Sequence, residues 1–425
     1  MQEDFLHYLW KFKKIDIRNL QTVDGLPLEL IQVGQHNLNS GPDFFNAQLI
    51  IDGQHWAGNV ELHVKASDWY VHHHETDTAY DNVILHVVWE NDVEVFRKNN
   101  TPIPTLKLKP LLPKSTLHNY FKLFTEEKRW INCEQSYHLV DDFVFQNWLE
   151  RLFFERLEQK SQVIQGLLQT SQSDWEAVLF KMLAKNFGLK VNAEAFLSMA
   201  SSFDFSVLRK IQNQAQLVEA LFYGQSRMLS NLEATDAYTK QLIDDYAFLK
   251  QKFQLDHNHV VAVQFFRLRP PNFPTIRLSQ LAQLYACHKN LFSVVVNTQS
   301  VADYYNLFAV ETTAYWNTHY NFQKTSKAVS KKVSRSFIDL VLINTILPIR
   351  FSYAKAMGKD NTEELLHLAK ALKPESNSII TNFEALKPVA VSALETQGLL
   401  QMKDAYCNAK KCLQCAVGNS ILSRI

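Results

Sequence analysis

Residues 41–69 read GPDFFNAQLIIDGQHWAGNVELHVKASDW, and residues 70–80 continue YVHHHETDTAY. The run DFFNAQLIIDG predicts a strand closed by the Asp52-Gly53 turn. HWAGNVELHVKAS predicts the next strand, entered through Ala57-Gly58-Asn59. Side chains alternate across a strand, so Glu61, His63 and Lys65 share one face while Leu62 and Val64 occupy the other. The apolar pair suits a core, and three ionisable residues opposite it form either a solvated face or a site. If the two strands pair as a hairpin, Asp43 lies near Glu61. Two carboxylates on adjacent strands can hold a hard divalent cation such as magnesium against a phosphate oxygen, with Lys65 nearby.

Outward from this stretch, EDFLHYLWKF has helical spacing, and LPLELIQVG (residues 26–34) alternates as a strand. VILHVVW (residues 83–89) is continuously apolar, as a strand buried on both faces requires. EVFRKNNTPIPTLKL predicts two shorter strands around a turn. From about Thr116 the pattern is helical. SDWEAVLFKMLAKNFG opens with Ser173 and Glu176 in capping-box register and ends on Gly188, and FPTIRLSQLAQLYA carries Pro274 in a first helical turn. The expected organisation is a mixed-sheet α/β domain over residues 1–112, followed by a large all-α region over 113–425.

The chain has 425 residues, 46% hydrophobic and 20% charged, the balance of a folded globular protein. Its net charge of +1 divides into −6 over residues 1–112 and +7 over the rest, and eight of the 15 histidines fall in the acidic part. That asymmetry suits a metal site beside a phosphate-binding surface, or simply two solvated faces of opposite sign. The first residues, MQEDFLHYLWKFKK, lack the basic-then-apolar order of a secretion signal. No apolar run reaches the roughly 20 residues that span a bilayer. A cytoplasmic protein with no membrane partner is therefore expected.

The segment after Lys65 adds Asp68, His72, His73, His74 and Asp77. Were residues 68–80 helical, His73 and His74 would each share a face with Asp77. His72 or His74 then contacts the metal or a phosphate, unless these are exposed turn residues. His86, inside the apolar strand, is expected as a hydrogen-bonded core histidine. Asn46 is either a partner of the site or an edge residue.

Pro42-Asp43, followed after seventeen residues by Glu61-Leu62-His63, resembles the core motif of the PD-(D/E)XK nuclease superfamily, as does the order helix, three strands, connection, strand. The resemblance implies Asp43 and Glu61 as ligands of Mg2+ or Mn2+, with a lysine that orients or activates the water. His63 stands in that lysine's place, and Lys65, on the same face, is the substitute. The strings GPDFFNAQL, GNVELHVKASDW, AYDNVILHVVW, RPPNFPTIRLSQLA and CNAKKCLQCAVGNSIL together resemble a bacterial domain-of-unknown-function family, number 2851. That resemblance carries architecture but no activity.

Cys407, Cys412 and Cys415 put three thiols in nine residues on a stretch that reads as helix. Thiolate groups of this kind bind Zn2+ or an iron–sulfur cluster and need a fourth ligand, for which Cys133 is the natural candidate. The arrangement is similar, with different spacing, to PD-(D/E)XK nucleases that carry a [4Fe–4S] cluster on one distant and three C-terminal cysteines. The other reading is four small buried hydrophobes. Arg267, Arg269 and Arg277 surround a rigid Pro-Pro turn. Residues 324–336, KTSKAVSKKVSRS, carry five basic residues and no acid, Lys331 and Lys332 among them. These groups suit phosphate contacts with DNA or RNA, or equally ion pairs and a solvated basic face. Three functions follow: a metal-dependent nuclease, a catalytically silent nucleic-acid-binding or structural relative, or a hydrolase of a small phosphoester.

Overall fold

The amphipathic N-terminal run folds as α1 (Glu3–Lys11) and buries Phe5, Leu6, Tyr8, Leu9 and Trp10. It packs on a seven-stranded sheet built from β1 (Leu20–Gln21), β2 (Pro27–Gln32), β3 (Gln35–His36), β4 (Phe44–Ile51), β5 (Gln54–Lys65), β6 (Val83–Glu90) and β7 (Thr105–Lys107). The strand order is β1-β2-β4-β5-β6-β7, with β3 added to β4. Pairs up to β4–β5 are antiparallel, and β5–β6 and β6–β7 are parallel, so the sheet is mixed. This is a computed structural model, and it describes residues 1–124, 129–322 and 324–424.

The β4–β5 hairpin closes on Asp52 (φ 49°) and Gly53 (φ 76°), the left-handed pair that a tight turn of this hand demands. Ala47 pairs with Gly58, but Phe44 pairs with Val60, so the register slips by one residue between them. Asn46 (φ 56°) sits in the slip as the bulged residue. Without it Asp43 would fall opposite Leu62; with it Asp43 falls opposite Glu61. Gly58 is required where β5 meets the start of β6, because a Cβ there would stand 2.7 Å from the Asn82 carbonyl and 2.4 Å from Ile84.

Alternation along β5 and β6 divides the side chains as expected. Val60, Leu62, Leu85 and Val87 join the core beneath α1, whereas Val83 and Val88 pack with Ala66, Trp69 and Tyr80 on the other side. Residues 402–425 belong to this same unit. Cys412 and Leu422 lie in the α1-side core, Lys14 Nζ reaches Ser423 Oγ at 3.0 Å, and the Asn119 amide donates to the Ile421 carbonyl at 3.2 Å. The chain thus divides into residues 1–148 with 402–425, and residues 149–401. This differs from a division after Leu112, because the sheet's apolar face needs α3 (Lys114–Phe124) and the last helix (Ala416–Leu422) to cover it.

The second unit is helical. Its helix Trp175–Phe187 is capped by Asp174, whose carboxylate accepts from Glu176 and Ala177 at 2.9 and 3.1 Å; Ser173, expected in that role, lies one residue outside. Pro274 opens the helix Pro274–Cys287 as its sequence predicts. The helix Arg335–Ala356, continuous through a π-turn, corrects the expectation on apolar runs: by length and composition it suffices to cross a membrane. Some 72% of its apolar window is buried within the protein, the pattern of a core helix.

Glu219 lies buried in this core and accepts hydrogen bonds from Ser279, from Tyr238 at 3.0 Å and from Thr313 at 3.1 Å. Burial raises it to about 7, against the opposing pull of these hydroxyls. Between its ordinary value of 4.5 and about 7 the folded state therefore holds a proton that the unfolded chain has released. Stability is greatest below that window and falls as pH rises through it, by up to about 3 kcal/mol. Glu219→Gln is expected to remove this slope, read as the difference in urea midpoint between wild type and variant at pH 4.5 and pH 8. An unchanged difference would refute the assignment.

Candidate metal centre

The bulge at Asn46 delivers Asp43 to the mouth of the hairpin. There its backbone N–H donates to Glu61 Oε2 at 3.0 Å, while the Leu62 N–H donates to Asp43 Oδ2 at 2.9 Å. Each carboxylate thus occupies the backbone donor of the opposite strand, and each keeps an oxygen turned elsewhere. Glu61 Oε1 faces His74 Nε2 at 3.3 Å and His63 Nε2 at 3.6 Å. From α1, His7 Nε2 stands 3.1 Å from Asp43 Oδ2.

The triple histidine is not helical. α2 covers only Asp68–Val71, and His73 (φ 58°) takes the left-handed conformation that ends it. The reversal turns His72 and His74 toward β5 and leaves His73 with its side chain 82% exposed. Asp77 caps the short turn Thr78–Tyr80 through the Ala79 N–H, in place of pairing with a histidine. His74 stacks on Tyr80 with centroids 3.7 Å apart. His63 Nε2 lies 3.1 Å from His72 Nδ1, and one nitrogen from each of His63, His72 and His74 falls within 4.8 Å of the others. Tetrahedral zinc-like coordination at about 2.0–2.1 Å sets nitrogens about 3.3 Å apart, so this trio is close to a ligand set.

His86 is fully buried beside Glu61 on β6, and its Nε2 is 2.8 Å from His63 Nδ1. When His63 donates from Nδ1 to His86, its Nε2 is left as a lone pair facing His72 and Glu61, the tautomer that a ligand needs. Burial, and then the neighbouring imidazoles, hold His63 down at about 2, so it is neutral across the working range. Burial, reinforced by the Asp43 charge, pushes Glu61 up to about 9. Burial also depresses His7, yet the Asp43 carboxylate more than offsets this and leaves it raised. Glu61 thus faces His63 and His74, whose imidazoles burial holds toward the neutral form, with His72 beside them, a set of donors that suits a divalent cation.

Of the expected residues, Asp43, Glu61, His63, His72 and His74 converge. Lys65 does not. It is exposed at the far end of β5, where its N–H bonds Asp68. His7, Glu3 and His86 join the site without having been singled out for it. Glu3 and His7 share a face of α1 at i, i+4, and Glu3 is raised by burial and then by Asp43. The signal for them was that polar pair at i, i+4 on an amphipathic helix.

The phosphate-binding candidates separate. Arg277 is buried, its guanidinium bonded to Gln280 at 2.9 Å and Asn272 at 2.6 Å and lying over the Phe337 ring. Lys331 is also buried, and its ammonium caps the Trp316 and Asn317 carbonyls. Both hold loops to the helical core and are removed from a nucleic-acid surface. Arg267, Arg269 and Lys332 are exposed.

Cys133, Cys407, Cys412 and Cys415 line one cavity, together with Asn132, Met402, Tyr406, Val417 and Gly418. The stretch expected as one helix is broken there. A π-turn (Met402–Cys407) and a left-handed Lys410 (φ 53°) lead to a 3-10 turn (Cys412–Gln414) and then the last helix.

The model of a family described as protein of unknown function, DUF2851, matches residues 3–378. No curated protein and no solved structure gives a match.

The geometry predicts that His72→Ala and His74→Ala each weaken Mn2+ binding by at least about tenfold. His73→Gly, which suits the left-handed backbone, should leave it within about twofold. Calorimetric titration of the metal-stripped protein with MnCl2 checks both, and equal losses at all three positions would refute the geometry.

Proposed function

The chain belongs to the DUF2851 family of proteins of unknown function, and we propose that it is a metal-dependent phosphodiesterase acting on DNA or RNA. The observation that carries this reading is the mutual bonding of Asp43 and Glu61 across the β4–β5 hairpin, next to His63, His72 and His74. The succession α1, antiparallel β2, β4 and β5, then α2 and parallel β6 supports the resemblance to the PD-(D/E)XK core.

Asp43, Glu61 and His63 would hold the cation, with His72 and His74 completing its coordination. A divalent ion bound there supplies a coordinated water of lowered pKa and a counter-charge for the phosphate. Of the two ions expected from the motif, this mixed set favours Mn2+, since carboxylates suit Mg2+ and Mn2+ alike but imidazole belongs with transition metals. His63 occupies the position of the motif's lysine. As a neutral imidazole held by His86, it can take a ligand's or a base's part but not that of an ammonium. His72, exposed above the buried Glu61 and His63, marks the side from which a phosphate approaches. Exposed Arg267, Arg269 and Lys332 remain candidates for backbone contacts on the helical unit.

A catalytically silent, nucleic-acid-binding relative is the second reading. It is favoured by the same His63, both of whose ring nitrogens are engaged by other histidines. Incubation of the full chain with labelled single- and double-stranded DNA and RNA separates the two, in MnCl2 and in MgCl2. Cleavage is expected with Mn2+ and should fall by at least about 100-fold in Asp43→Ala and in Glu61→Ala. Cleavage surviving both substitutions would overturn the proposal. Binding without cleavage would select the silent reading, and turnover of bis(p-nitrophenyl) phosphate alone would select a small-phosphoester hydrolase.

A further inference from the structure

We propose that Cys133, Cys407, Cys412 and Cys415 are the four thiolate ligands of an iron–sulfur cluster of the [4Fe–4S] class, seated in the cavity where they converge. The inference is independent of the metal centre on the sheet.

Convergence is the first ground. Cys133 is separated from the other three by the whole helical unit in sequence, yet all four side chains line one small space within the unit of residues 1–148 and 402–425. All four are free thiols, and Cys412 and Cys415 are buried. Cys287, the remaining cysteine, is exposed in another unit.

Spacing is the second. A tetrahedral zinc with bonds of about 2.3 Å holds its sulfurs about 3.8 Å apart. Among the described residues, only His63, His72 and His74 bring three ligand atoms within 4.8 Å of one another. No three of these cysteine sulfurs meet that limit among the described residues, so the thiols are not gathered at the spacing of a single tetrahedral ion.

The wall of the cavity is the third. Met402, Val417 and Tyr406 line it alongside the thiols, an environment that shields a cluster from water. The backbone N–H groups of Val417 and Gly418 are directed at the Cys415 sulfur, and the Asn132 side chain bonds that of Cys412. Hydrogen bonds to sulfur are the usual means by which proteins hold and tune such clusters. Gly418 also permits the fold of the site: a Cβ there would lie 2.1 Å from the Cys412 carbonyl. Assembly takes two ferrous ions, two ferric ions and four sulfides as co-reactants, which together give the 2+ core, and each of the four thiols loses one proton as its sulfur binds iron.

The test is anaerobic purification of the full chain, followed by iron, acid-labile sulfide and zinc analysis and visible absorption before and after dithionite. About four iron and four sulfide per chain are expected, with a visible band that bleaches on reduction. Cys133→Ser and Cys412→Ser should lose the band, whereas Cys287→Ser should keep it. Should either of the first two fail to fold, chelator-stripped wild type reconstituted anaerobically with ferrous iron, ferric iron and sulfide gives the same decision. One zinc per chain without sulfide would overturn the cluster, as would metal-free protein that fails reconstitution. None of these outcomes bears on the Asp43–Glu61 centre, whose test is cleavage.

Discussion

Two carboxylates hold the mouth of the β4–β5 hairpin, each by the other strand's backbone. Asp43 takes the Leu62 N–H and Glu61 takes the Asp43 N–H, so side chains replace carbonyls as the last bonds of the ladder. A buried pair of like charges is costly unless something positive enters between or beside them. In the structure that something is partial: His7 lies against Asp43, and the imidazoles of His63 and His74 against Glu61. The pair is closed as geometry by its two backbone hydrogen bonds and unfinished as electrostatics.

Its placement depends on one inserted residue. Side chains in a strand alternate, so a shift of one exchanges the core face for the opposite one. The bulge at Asn46 produces that shift between Ala47 and Phe44. It sends Phe44 into the core beneath α1 and leaves Asp43 beside Glu61. A second local reversal, at His73, serves His72 and His74 in the same way.

Much of the sheet was legible because its signals are local. The Asp52-Gly53 turn, the apolar run of β6 and the alternation of β5 each act over a few residues, and each folds as read. Asp43 and Glu61 were legible as a pair for the same reason, being joined by one tight hairpin. For the triple histidine a helix and a turn both stood open, because nothing in YVHHHETDTAY announces the left-handed His73; the packing of His74 on Tyr80 and Trp69 accompanies the turn that forms. His86 was read correctly as a bonded core histidine, but its partner, His63, lies on another strand and was invisible. Arg277 and Lys331 looked like surface cations because side-chain charge predicts exposure. The partners that make burial tolerable are the nearby Asn272 and Gln280 amides for Arg277, and for Lys331 the carbonyls of the Trp316–Asn317 turn.

The return of residues 402–425 to the sheet has a consequence for synthesis. The helical unit is inserted in sequence within a discontinuous domain, and Lys14 meets Ser423 across a sequence separation of 409. Closing so long a loop costs conformational entropy that local contacts cannot repay. A ribosome emits the sheet before the helical unit, yet its α1-side core lacks Cys412 and Leu422 until the helical unit has been made. The inserted helices have a core of their own and can fold in the interval. The sheet unit is therefore begun before the insertion and completed after it, and its apolar face waits meanwhile for segments encoded beyond the inserted helices.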